Sequence, residues 1–131
     1  MILFDGEWMA KFKDVWNSSD EVSGALAKIG FSSVIGCGMP DEEDPRGVVV
    51  VEDGIATFGG PFEGQEMNWD LRAAEKHWLK WQAKGIGMAG LGMAVTTGKL
   101  KFATGDYGAM IKNPAMAGPF VKSFGLMGGV K

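Results

Sequence analysis

The sequence predicts an α+β fold, with helices covering one face of a mostly antiparallel sheet of five strands. Three observations carry that expectation. Hydrophobic spacing is helical up to Gly30, alternates with a period of two between Phe31 and Ala73, and is helical again from Ala74 except for one alternating stretch at 99–104. The pair Asp53-Gly54 stands between two strand-like runs, which is a strong hairpin signal. No linker-like stretch divides the chain, so residues 1–131 read as one domain, large enough to bury a substantial core.

Each element follows from its residues. Trp8, Phe12 and Trp16 recur every fourth position and give the first helix one aromatic face. "NSSD" breaks it, and Ser18 with Glu21 forms a capping box for a second helix whose stripe is Val22, Leu26 and Ile29. Gly30 can end that helix in the left-handed conformation. "FSSVIGCGM" is the first strand and "PDEEDPR" the loop after it; "GVVVVED" and "GIATFGG" form the hairpin. In "EMNWDLRA", Met67, Trp69 and Leu71 alternate with Asn68, Asp70 and Arg72, as in a half-buried strand. Ala74, Trp78 and Trp81 then share a helical face, with His77, Lys80 and Lys84 on the wet side. "KLKFATGD" is the fifth strand, with Leu100, Phe102 and Thr104 on one face. Asp106 caps a short helix carrying Met110 and Ile111, which Asn113-Pro114 interrupts. A last helix, weakened by Pro119, lines up Met116, Phe120 and Phe124.

Composition excludes several functions. The net charge is −3 and the lysines are scattered along the chain, which argues against a nucleic-acid partner. No apolar run is long enough to span a membrane. "MILFDGEWMAKFKD" does not resemble a secretory signal, "GGVK" matches no retention address, and the one cysteine, Cys37, cannot form an internal disulfide. A cytoplasmic protein is expected. Glycine is abundant, at 21 residues, and Met88, Met93, Met110, Met116 and Met127 all follow residue 84. Flexible thioethers beside small residues suit either a compliant apolar surface or a loosely optimised core.

"GIGMAG" (85–90) matches the G-x-G-x-x-G pattern of dinucleotide enzymes. That fingerprint needs a strand before it, a helix after it and a βαβ unit around it. Here "EKHWLKWQAK" precedes it and reads as helix. The expectation is instead a glycine-rich helix over 85–98, packed closely on its neighbours or leaving room for a guest, and no cofactor. Each glycine costs such a helix about 1 kcal/mol relative to alanine.

Catalytic constellations are few. His77, the single histidine, sits among Glu75, Lys76 and Lys80 on a solvated face. Cys37 is a mid-strand residue that would need a neighbouring base to act as a nucleophile. One Cys and one His cannot build a structural zinc site. "DEED" (41–44) lacks the spaced ligands of a calcium loop and reads as a solvated turn. Asp106 is accounted for as a cap, leaving Tyr107 alone. No metal site and no catalytic residue are expected.

The chain resembles the sterol-carrier-protein (type 2) family of lipid-transfer domains. The resemblance is carried by an alternating strand, the tryptophan-rich "HWLKW", a second short helix, then "GKLKFATGD" and "YGAMI"; its most specific piece is Gly98 to Lys101 with Gly105 and Asp106. The acidic loop, the extra glycines of 85–92 and the Asn113-Pro114 break depart from it. The resemblance implies a five-stranded sheet, helices on one side and an apolar tunnel between. It implies non-catalytic binding and transfer of a fatty acid, fatty acyl-CoA, sterol or similar lipid, with transient membrane contact and a partner enzyme as compatible interactions. The residues point the same way, since methionine and phenylalanine side chains on successive C-terminal helices would line one adaptable cavity. The candidate ligand-binding residues are Trp78, Trp81, Met88, Leu91, Val95, Phe102, Met110, Ile111, Met116, Phe120 and Phe124, each with core packing as its plainer role. The alternative is an interaction module that presents or protects a hydrophobic substrate for a partner enzyme. A small enzyme using the cavity as its active site is a third reading, testable at His77 and Cys37.

Overall fold

In the computed structural model, which describes residues 1–131, the sheet order is β3-β2-β1-β4-β5. The strands are β1 (Ser33–Gly38), β2 (Gly47–Glu52), β3 (Ile55–Pro61), β4 (Trp69–Ala73) and β5 (Leu100–Thr104). Only β1 and β4 pair in parallel; the remaining pairs are antiparallel. Six helices complete the α+β fold: α1 (Gly6–Asn17), α2 (Ala25–Lys28), α3 (Glu75–Lys84), α4 (Met88–Thr96), α5 (Tyr107–Ile111) and α6 (Pro114–Leu126). The fold class and the strand order along the chain are as the sequence predicts.

Local chemistry explains most boundaries. The Asp5 carboxylate accepts from the Trp8 N–H at 2.8 Å and starts α1. The hairpin turns on Asp53 (φ 50) and Gly54 (φ 83), both in the left-handed region that this two-residue turn requires. Asp106 caps α5 through the Ala109 N–H, at 3.2 Å. One boundary differs from expectation. Ser18 ends α1, donating its hydroxyl to the Asp14 carbonyl, and the cap of the next segment is Ser19, which accepts from the Val22 N–H. That segment opens as a π-helical turn (Asp20–Gly24) before α2, so the capping-box geometry of Ser18 and Glu21 is not formed.

One face of the sheet carries the main core. Ile35, Cys37, Val49, Val51, Leu71, Ala73 and Leu100 meet the helices there in one cluster. α1 lies very close: a Cβ at Gly59 would collide with the Met9 carbonyl, and one at Gly47 with the Met9 side chain. Phe4, at φ 64, packs edge-on against Trp8 (4.9 Å) and Trp78 (4.8 Å) and joins α1 to α3.

The opposite face holds a correction. Alternation along β4 predicts Asp70 and Arg72 in water, but both are buried, 4% and 7% exposed. Their side chains form a bidentate ion pair at 2.6 and 2.9 Å. Arg72 also donates to the carbonyls of Met39, Glu42 and Glu43. The acidic loop is therefore clamped over the sheet rather than swinging free, and Pro45 rests on Gly38. Burial of the pair is tolerated because five guanidinium contacts satisfy it.

Candidate functional site

The helix layer beyond β4 is built from aromatic and aliphatic residues at helical spacing. Trp78 donates its indole N–H to the Gly38 carbonyl at 3.0 Å and stacks on Phe124 at 5.8 Å. Trp81 meets Trp78 edge-on at 5.5 Å and Phe124 at 5.7 Å. Phe120 bridges Phe124 (5.4 Å) and Phe102 (6.2 Å), and Phe102 continues to Tyr107 at 5.6 Å. An unbroken aromatic chain thus runs from α3 through α6 to β5. Leu91, Met110 and Ala117 are buried in the same cluster, and Val95 and Met116 pack against it.

Of the eleven candidate residues, nine lie in or against this cluster. The other two do not: Met88 is 45% exposed and Ile111 40% exposed. Surface clefts flank the layer instead of an enclosed tunnel. One, of about 400 Å³, lies between the π-helical turn, α6 and the α3–α4 connection, with Val22, Ile86, Val121 and Leu126 among its walls. A second, of about 300 Å³, lies between α3, α4 and the residue before β5, with Trp81, Ile86 and Met93 among its walls. Ile86 borders both. Trp81 is the one candidate residue that lines either.

The glycine motif resolves clearly. Helix α3 precedes it, Gly85 (φ 72) ends that helix, and α4 starts at Met88. No strand stands before the glycines, so the dinucleotide arrangement is not formed. The expected helix over 85–98 is shorter, and its glycines divide: a Cβ at Gly90 would crowd the Ile86 side chain at 3.2 Å and one at Gly92 would touch the Tyr107 hydroxyl at 3.4 Å. A Cβ at Gly85, Gly87 or Gly98 would meet nothing within 4 Å. Room beside α4, rather than contact, accompanies these residues.

The titratable groups are poor material for catalysis. Cys37 is fully buried, and burial with the nearby Asp70 carboxylate pushes its thiol up to about 12, so it stays protonated at neutral pH. His77 stacks on Trp81 at 6.0 Å. Its pKa is lowered, first by burial and then by Lys76, Lys99 and Lys80. No three His, Cys, Asp or Glu side chains converge on a point that would hold a metal.

Three features of the region escaped sequence reasoning: the Asp70–Arg72 pair, the clefts on either side of Ile86, and the gathering of lysines around His77. The last had a signal. From Ala74 onward the acidic side chains are Glu75 and Asp106 alone, against eight lysines. Separation in sequence hid the fact that Lys99 returns to the side of Lys76 and Lys80.

A five-stranded mixed sheet with one parallel pair, covered on one face by helices enclosing an aromatic layer, is the fold of a sterol-carrier-protein-2-like domain. It superimposes on a crystal structure of sterol carrier protein 2 with a TM-score of 0.77 at 15% identity, over 99% of this chain and 100% of that one. A solution structure from Thermus thermophilus, described as a conserved hypothetical protein and possibly a sterol carrier protein, matches with a TM-score of 0.68 at 18% identity, covering 97% and 90% of the two chains. A ubiquinone synthesis protein described as UbiJ-SCP2 matches with a TM-score of 0.57 at 11% identity, over 91% and 86%. No family model and no curated protein sequence matches the chain. No helix is long and apolar enough to cross a membrane.

Proposed function

We propose that this chain, acting as a single cytoplasmic domain, binds and transfers a hydrophobic small molecule in the apolar layer between sheet and helices, without covalent chemistry. A fatty acid, fatty acyl-CoA, sterol or similar lipid fits that layer. The observation that carries the reading is the bonding of the helix layer. Beyond Trp78 the buried side-chain hydrogen bond is Ser123 to its own helix, at the Phe120 carbonyl. Non-directional contacts can reopen and close around a guest without leaving polar groups unpaired. The likeness to sterol carrier protein 2 supports it.

In this reading the ligand enters where Pro114, Gly118 and Pro119 weaken the C-terminal helices and meets Trp78, Trp81, Leu91, Val95, Phe102, Met110, Met116, Phe120 and Phe124. Met88 and Ile111 then lie at the mouth. Burying about fourteen methylenes gains on the order of 10 kcal/mol gross. Lost freedom and ordering consume several kcal/mol of that, leaving affinity loose enough for release.

The test is solvent extraction of purified protein with mass spectrometry, beside displacement of a fluorescent fatty acid. A stoichiometric lipid or saturable displacement is expected, and Phe120→Trp should weaken uptake while the fold persists. An empty extract with no displacement would overturn the reading. It would favour a module that presents a hydrophobic substrate to a partner enzyme, which the likeness to a protein described as acting in ubiquinone synthesis keeps in view.

A further inference from the structure

We propose that the cleft between α3, α4 and Lys99 holds the anionic head group, a carboxylate or phosphate, of a single-chain amphiphile whose chain the interior takes. The inference rests on the lipid-binding reading above and deepens it. Lys80 and Lys99 line this cleft, and no acidic residue does. Neither lysine makes an ion pair; the four ion pairs of the chain use Lys11, Arg46, Arg72 and Lys122. Two unpaired cations facing one depression repel each other, and an anion between them removes that cost. Lys76 adds to the same positive field: with Lys99 and Lys80 it acts on His77, whose pKa is lowered first by burial and then by these lysines.

The walls suit the methylenes next to such a head group. Trp81 is 8% exposed, and its ring continues edge-on to Trp78 and Phe124, so the cleft abuts the aromatic layer. Met93, 63% exposed, stands at the rim with a flexible thioether. Space at Gly85 and Gly87 keeps the depression open on the side of Ile86. The neighbouring cleft has lysines too, Lys84 and Lys122, but Lys122 is paired to Glu21 at 3.5 Å and the glutamate lines the same surface. One of its two cations is thus compensated, whereas both lysines of the α3–α4 cleft are free, which assigns the head group to the α3–α4 side.

Binding of cis-parinaric acid and of its methyl ester, at low salt and with the full chain, tests the assignment. The acid should bind at least ten-fold more tightly than the ester. Lys80→Gln with Lys99→Gln should remove that preference and leave ester affinity unchanged, and Lys28→Gln, on exposed α2, should change neither. The NMR titration of the single histidine should move upward when the acid binds and stay in place with the ester. Equal affinity for acid and ester, or a preference that survives the double substitution, overturns the head-group site while the carrier function stands. Failure of both probes to bind overturns the carrier function and the site together. A His77 shift with inorganic phosphate alone, without preference for the acid, makes this a free-anion site and also overturns the assignment.

Discussion

Up to Trp78 the chain is tied together by directional bonds across long sequence separations, whereas the layer beyond it is held by apolar contact. Trp16 donates to the Gly54 carbonyl, Asn17 exchanges two bonds with Ala56, and Arg72 spans from β4 to the acidic loop. Charge divides the same way: the carboxylates concentrate before Ala74 and the lysines after it. Directional bonds fix one arrangement, because a displaced donor is left unpaired at a cost of about 1–3 kcal/mol. Apolar contact only loses area. The difference bears on the proposed carrier role: the first region is a frame, and the second, held by apolar contact, is where a guest would be admitted.

The largest break in this comparison is Arg72→Ala. It strands the Asp70 carboxylate in a buried site and frees the carbonyls of Met39 and, in the acidic loop, of Glu42 and Glu43. A loss of about 3–5 kcal/mol in urea unfolding is expected. Asp70→Asn with Arg72→Met should recover much of it. A loss below 1 kcal/mol for Arg72→Ala would mean that the frame does not depend on its polar clamp.

Glycines sharpen the contrast at intermediate size. Gly54→Ala places a Cβ against the Ala27 backbone at a positive φ, so it should destabilise by about 1–3 kcal/mol. Gly87→Ala meets open space at an ordinary φ of −94, so its cost should be only that of alanine at the N-cap of α4, about 0.5 kcal/mol, read as a small fall in thermal midpoint. If both substitutions destabilise alike, the room beside α4 is not real.

Local signals were legible in sequence and tertiary ones were not. Asp53-Gly54, Asp106, Gly30 and Gly98 each act within a few residues, and each forms the turn or cap that its chemistry dictates. The shift by one residue from Ser18 to Ser19 shows the limit even there, since two adjacent serines offer the same hydroxyl. Asp70 and Arg72 alternate as solvent-facing residues would; what buries them is a loop some thirty positions away. The aromatic layer was visible because Trp78, Trp81, Phe120 and Phe124 repeat at helical spacing. The clefts beside it were not, because they depend on how far apart the helices settle.

The smallest expected effect is in pH dependence, and it separates the two regions by their titration range. His77 binds its proton less readily in the folded chain than its ordinary value of 6.5 allows, through burial first and then Lys76, Lys99 and Lys80. The unfolded chain therefore takes up more protons just below that value, and stability falls as pH drops through it toward the folded pKa. Asp5 and Glu42 behave oppositely in range. Asp5 is lowered chiefly by the Ile2 and Trp8 N–H groups, and Glu42 by its hydrogen bonds from Arg46. Their contribution is present above the ordinary carboxylate range and is lost only in stronger acid, as pH falls through their folded values. Chemical denaturation between about pH 2 and 8 should thus show a shallow limb near neutrality that His77→Gln removes, and a separate acid limb that it leaves intact. A near-neutral limb that persists in His77→Gln would place the coupling elsewhere and detach the lysine cluster from the behaviour of the helix layer.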